Sequence, residues 1–154
     1  MAARKGKRDK SDVIRFEMNL AENLCALQKS LENRTYKPQG YTHFMVYDPK
    51  QRSIYAPSYS DRVVQHCLCD NILMPVIDTR LIYDNAACRV GKGTHFSIYR
   101  LSGFMRDFYK KHMDQGFFLK CDVRKYFENI DHSVLKEKLL KIFGLGDIFT
   151  LLLV

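Results

Sequence analysis

The sequence predicts an α+β fold, and three observations carry that prediction. Apolar residues recur at three- and four-residue steps over Phe16, Leu20, Leu24, Leu27 and Leu31, the period of an amphipathic helix. Tyr41–Tyr47 and Arg52–Ala56 are rich in aromatic and β-branched side chains, with the turn-forming Asp48-Pro49-Lys50-Gln51 between them. A third apolar run, Phe117–Val123, has the length and character of a strand. The 154 residues, 46% hydrophobic and 27% charged, match one ordinary domain able to bury a core, not a disordered chain.

In order along the chain, Ser11-Asp12 caps a first helix that runs to about Glu32. Asn33, Pro38 and Gly40 stop it. The hairpin follows. Pro57 and Ser58–Ser60 open a second helix with the stripe Val64, Cys67, Leu68 and Ile72, and Pro75 falls just beyond its end. Asp78–Phe96 has weak periodicity and reads as loop with short structure. Thr94 caps a third helix carrying Ile98, Leu101, Met105 and Phe108, and Met113–Gly116 turns the chain into the apolar strand. Asp131 or Ser133 caps a further helix with Leu135, Leu139 and Ile142, ending near Gly144. Asp147–Val154 begins an apolar helix with no polar exit, so the chain is expected to be a fragment or to have this end covered by a partner.

The net charge is +8, and half of it lies in the first ten residues, where five Lys or Arg face one Asp. Residues 1–10 are expected to form a basic disordered tail. Such charge attracts phosphate backbones, and it also simply solubilises a tail. No apolar run reaches the roughly 18–20 residues of a membrane span, and no apolar segment follows the basic start as in a secretory signal. Cys25, Cys67, Cys69, Cys88 and Cys121 are odd in number and irregular in spacing, which points to buried free thiols in a reducing cytoplasm. None of the five His forms a zinc-type spacing, and there is no Gly-x-Ser-x-Gly nucleophile turn.

Two stretches bear on chemistry. Alternation along Phe117–Val123 puts Phe118, Lys120 and Asp122 on one face, so Asp122 stands at a strand end, a rigid mount for a metal-binding carboxylate. The same acid also reads as a strand exit paired with Arg124 or Lys125. Ala87–His95, "ACRVGKGTH", has a Gly turn before a helix start, which suits an anion or an ordinary turn with surface cations. It departs from the Walker pattern because Gly93 stands between Lys92 and Thr94. Tyr-rich segments flank Lys50, Arg52 and Arg62, a mixture that suits base stacking with phosphate pairing, or plain hairpin packing.

Three blocks, "VYDPKQRSIYAPSYSDRVVQHCLCDNILMPVID" (Val46–Asp78), "IYDNAACRVGKGTHFSIYRL" (Ile82–Leu101) and "FFLKCDVRKYFENIDHSVLKEKL" (Phe117–Leu139), resemble in order and spacing the first blocks of bacterial reverse transcriptases. The likeness is to the group II intron and diversity-generating retroelement branches and covers about residues 30–143. It implies a right-hand polymerase, with residues 11–115 as N-terminal helix and fingers and residues 116–154 as the first, incomplete part of the palm. It implies that Asp122 is the first catalytic carboxylate and binds Mg²⁺, with the Val123 carbonyl as a further ligand. It places Lys125 and Tyr126 backbone N–H groups and the Phe127 ring at the incoming dNTP, the ring acting as a gate against a 2′-OH. Arg52 matches a fingers cation on the triphosphate. A second such cation is replaced by Ser60, leaving Lys50 or Arg62 to stand in. Arg89 and Lys92 match a region along the template.

The implied reaction is template-directed addition of dNTPs to a primer 3′-OH, with two Mg²⁺ ions activating the attacker and stabilising the leaving pyrophosphate. The implied partners are an RNA template, a primer or cDNA strand, and the remaining palm and thumb. The family's Tyr-x-Asp-Asp motif is absent, since the chain has no Asp-Asp pair. One carboxylate does not hold two ions that shed water reluctantly. The chain by itself is therefore expected not to polymerise. The alternative is a non-catalytic RNA-binding or split-polymerase interaction module.

Overall fold

The computed structural model describes residues 2–144. The fold is mixed α+β, with helices and, among the described residues, one two-stranded antiparallel sheet. The chain divides into two compact units, one of residues 1–72 and 130–154, the other Leu73–Asn129.

The first unit opens with a 3-10 turn, Ala2–Arg4, followed by α1 (Ser11–Met18) and α2 (Leu20–Glu32). The expected single helix is thus two. Asn19 leaves helical geometry at φ −122°, ψ 47°, and the Asn23 side-chain amide donates to the Phe16 carbonyl at 2.9 Å. A polar side chain in the ladder is a recognised cause of a helix break. Neither Ser11 nor Asp12 is a side-chain cap. Lys10 holds the N-cap position, and Asp12 instead binds Arg62.

The hairpin is β1 (Tyr41–Val46) and β2 (Arg52–Pro57), paired from Tyr41↔Pro57 to Val46↔Arg52. It lies within a residue of expectation, because two-residue alternation and a Pro turn fix both period and boundary. Thr42, Phe44, Ile54 and Ala56 share one face, while His43 and Tyr55 stack on the other at 4.8 Å.

Ser58 caps α3 (Tyr59–Leu68), its hydroxyl accepting from the Asp61 N–H at 3.1 Å. The helix does not stop before Pro75 as expected. A π turn, Cys69–Leu73, leads into α4 (Met74–Ile77), which contains Pro75 in its first turn. Proline lacks an N–H and clashes with the carbonyl four residues back. The π turn breaks the regular i→i−4 ladder just ahead of it, and the first turn of α4 tolerates a ring there.

The core is small. Ala3, Val13 and Tyr59 are buried, with Phe16 and Val63 packed around them and the Phe16 and Tyr59 rings edge to face at 5.2 Å. Residues 1–10, read from sequence as a disordered tail, thus contribute Ala3 to the core, and Arg4 pairs with Glu17 at 3.2 Å. Burial raises the Tyr59 phenol pKa, and both its hydroxyl and Arg62 Nε are enclosed without a partner among the described residues. Asp61 is also buried. It accepts from the Tyr36 hydroxyl at 2.6 Å and the Gln39 N–H at 2.9 Å, tying the α2–β1 connection to α3. Late in the unit, Asp131 caps α6 (His132–Phe143) by accepting from Ser133 and Val134 N–H groups at 2.8 and 3.3 Å. Gly144 ends it at φ 76°, a left-handed conformation that glycine adopts without strain.

The second unit carries α4, a 3-10 turn Asp78–Arg80, a long loop, and α5 (Thr94–His112). Beyond Met113 the expected strand Phe117–Val123 is not formed. Phe117, Phe118 and Leu119 are 104%, 78% and 90% exposed. A strand exists only as part of a ladder, and the described residues hold no third strand to pair with it. The cysteines differ from expectation too: all five are free but exposed, because the helix and loop faces that carry them are uncovered among the described residues. The expected helix of Asp147–Val154 lies outside the described residues. No described helix is long and apolar enough to cross a membrane.

Candidate functional site

The residues singled out from sequence fall in three local settings. Asp122 lies in the irregular stretch after α5, exposed, with no ion pair among the described residues. Pairing with Lys125 does not occur, since Lys125 reaches Glu128 at 3.0 Å. The chain then turns sharply. Lys125 adopts φ 51°, and Phe127–Asn129 form a 3-10 turn. Asn129 closes this turn: its side-chain amide donates to the Lys125 carbonyl at 3.0 Å, and its N–H to Lys125 and Tyr126 carbonyls at 3.1 and 3.2 Å. The clamp holds a non-glycine residue in a left-handed conformation that costs about 1 kcal/mol or more. It leaves the Lys125 and Tyr126 N–H groups without acceptors among the described residues. Phe127 stands 84% exposed, its ring 5.3 Å from that of Tyr126.

Lys50 and Arg52 sit at the hairpin turn and the start of β2, both exposed. Arg52 is on the face of Ile54 and Ala56. Arg62 is different. It binds Asp12, lies over the Tyr59 ring at 5.3 Å, and its side chain is only 18% exposed. Its charge is engaged within the fold.

Arg89 and Lys92 are likewise engaged. Arg89 takes Asp78 in a bidentate grip at 2.5 and 3.1 Å and donates to the Ile82 and Asn85 carbonyls at 3.0 and 3.3 Å, with 10% of its side chain exposed. This fork geometry suits Arg alone. Lys92 donates to the Tyr83 carbonyl and lies 4.1 and 4.9 Å from the Tyr83 and Phe96 ring centres. Arg100 pairs with Asp84 at 2.5 Å and stacks over Tyr83 and Phe104 at 5.2 and 4.7 Å. Within "ACRVGKGTH", Arg89 and Lys92 thus clamp the loop, while Val90 between them is fully exposed. The hydrogen bonds from Arg89 and Arg100 hold the Asp78 and Asp84 carboxyls below the usual carboxylate range. Sequence reasoning missed Asp78, Asp84, Tyr83 and Arg100, whose separations follow no period.

For magnesium, the donor set near Asp122 is one carboxylate and the neighbouring Val123 carbonyl. Among the described residues no group of three or more His, Cys, Asp or Glu comes together. An octahedral ion held by so few protein oxygens keeps mostly water. The residues present do not fit a two-ion site without further acids.

A second feature was not legible in sequence. An open groove of about 1320 Å³ in the first unit is bounded by α1, α2, the α2–β1 connection and the inner face of the hairpin. Lys7, Lys10, Arg15, Lys37 and Arg62 line it, against the single acid Asp12. No family model and no curated protein matches the chain.

Proposed function

We propose that the chain is the N-terminal part of an RNA-directed DNA polymerase, with fingers and the first palm motif, and that it does not polymerise by itself. The observation that carries this reading is the ordered run of three sequence blocks, the third of which holds Asp122. In this reading Asp122 supplies one carboxylate of a Mg²⁺ site whose other acids lie outside the chain. The metal would supply charge neutralisation at the phosphoryl group. The turn closed by Asn129 presents the Lys125 and Tyr126 N–H groups to a triphosphate, and Phe127 offers the ring that rejects a 2′-OH. Lys50 and Arg52 are the fingers cations with charge to spare. Arg62, Arg89 and Lys92 act by holding the scaffold.

The bare apolar segment Phe117–Leu119 supports the reading, since a segment of strand composition forms a strand only beside neighbouring strands. The test is a template–primer extension assay with Mg²⁺ and the isolated chain. Background incorporation is expected, and robust dNTP incorporation refutes the proposal. A second reading, an interaction module of a split polymerase, is favoured by the same exposed segment together with Ile98, Leu101 and Phe104 on α5. A clean monomer at high concentration in size-exclusion chromatography counts against it.

A further inference from the structure

The groove of the first unit is not used by the reading above, and its lining has a specific chemistry. Four of its cations, Lys7, Lys10, Arg15 and Lys37, are exposed and have no carboxylate partner among the described residues. They come from three separate segments: the N-terminal arm, α1 and the α2–β1 connection. The only acid, Asp12, is neutralised by Arg62. Phe44, exposed, lines the groove as well, together with the half-buried Phe16 and Tyr36. The neutral donors and acceptors Asn19, Asn23, Thr35 and Gln39 complete the lining.

The volume of about 1320 Å³ exceeds the roughly 300–1,000 Å³ of small-molecule clefts. The groove is therefore sized for a polymer. Dispersed, unpaired cations call for a polyanion. An acidic peptide needs only donors, whereas this lining adds the exposed ring of Phe44 and side-chain groups that both donate and accept. That mixture fits bases and sugars between phosphates.

We infer that this groove binds a single-stranded nucleic acid, with Lys10, Arg15 and Lys37 on the phosphates and Phe44 against a base. The inference rests on the chain handling nucleic acid but not on any chemistry at Asp122, so the two stand or fall separately.

The test uses the full 154-residue chain and fluorescence anisotropy with labelled, unstructured oligouridylate RNA, oligothymidylate DNA and polyglutamate. The variant K10E/R15E/K37E changes exposed side chains, and circular dichroism checks that it folds. It is expected to weaken oligonucleotide binding at least tenfold and to flatten the dependence of log K on log salt by about two, from about 0.7 per phosphate contact. The control K110E/K111E, at the far end of α5, is expected to stay within about threefold. Phe44→Leu is expected to weaken binding about fivefold or more without changing the salt slope. Comparable affinity for RNA and DNA marks backbone recognition, and preference for RNA adds contacts to the 2′-OH; either agrees with the inference. It is overturned if the groove variant binds as tightly as the parent, if the control loses as much, or if polyglutamate binds as well as the oligonucleotides.

Discussion

Asp61 shows how one side chain organises the region around the hairpin. Its carboxylate is buried, yet it accepts from Tyr36 and Gln39 while its own N–H caps α3 through Ser58. Hydrogen bonds to a charged group contribute about 1.5–3 kcal/mol each at most, and removing the acceptor strands the donors. Asp61→Ala is expected to lower unfolding free energy by about 2–3 kcal/mol, read as a lower urea midpoint at unchanged slope. Burial and the hydrogen bond to Asp61 raise the Tyr36 phenol pKa. A raised folded value means the contribution is full below about pH 10 and fades as pH climbs above it. Tyr36→Phe should remove that alkaline loss, measured by phenolate absorbance alongside denaturation. Asp78 and Asp84 run the other way. Their Arg partners depress both carboxyls, so the clamped loop is intact above about pH 4 and loosens as pH falls further. Amide exchange in residues 81–93 measured down an acid series checks this. Unchanged protection well below about pH 3 would contradict it.

Among elements, those with a self-contained signal were legible in the sequence. The hairpin could be read because Tyr41–Tyr47 and Arg52–Ala56 carry strand residues around a Pro turn, and α6 because Asp131 and Gly144 bracket a three-four stripe. What could not be read depended on contacts. The break at Asn19 comes from one amide reaching Phe16, and the π turn before Pro75 is a local adjustment without a composition signature. Phe117–Val123 has a strand's residues without a strand's partners, so the sequence overstates it. The five cysteines suit a core by residue type, yet among the described residues no core extends over them. The candidate site divides in the same way. Asp122, Lys125 and Phe127 are adjacent in sequence and could be named together, whereas the Asp78–Arg89 clamp and the basic groove join residues far apart in the chain. Amides of residues 117–123 are expected to exchange at nearly unprotected rates in the isolated chain. Protection comparable to that of the β1–β2 ladder would show that a partner strand is present.

At the scale of the molecule, stability concentrates in a small core. Val13 is 0% exposed beside Ala3 and Tyr59. Val13→Ala deletes two methyl groups there and should cost about 2 kcal/mol, a large share of an ordinary domain's margin. Outside that core, much apolar surface is bare, including Phe117, Phe118 and Leu119 beside Asp122. The described residues thus hold a hairpin, a clamped loop and the Asn129-closed turn that follows Asp122. The most direct measurement expresses the chain together with any coding sequence that continues past Val154 in its gene. It assays Mg²⁺-dependent dNTP incorporation on an RNA template with a DNA primer. The account predicts incorporation that Asp122→Asn lowers by about a thousandfold or more, and background from the 154-residue chain alone. Full activity in Asp122→Asn, or no Tyr-x-Asp-Asp motif and no incorporation in the longer polypeptide, would contradict it.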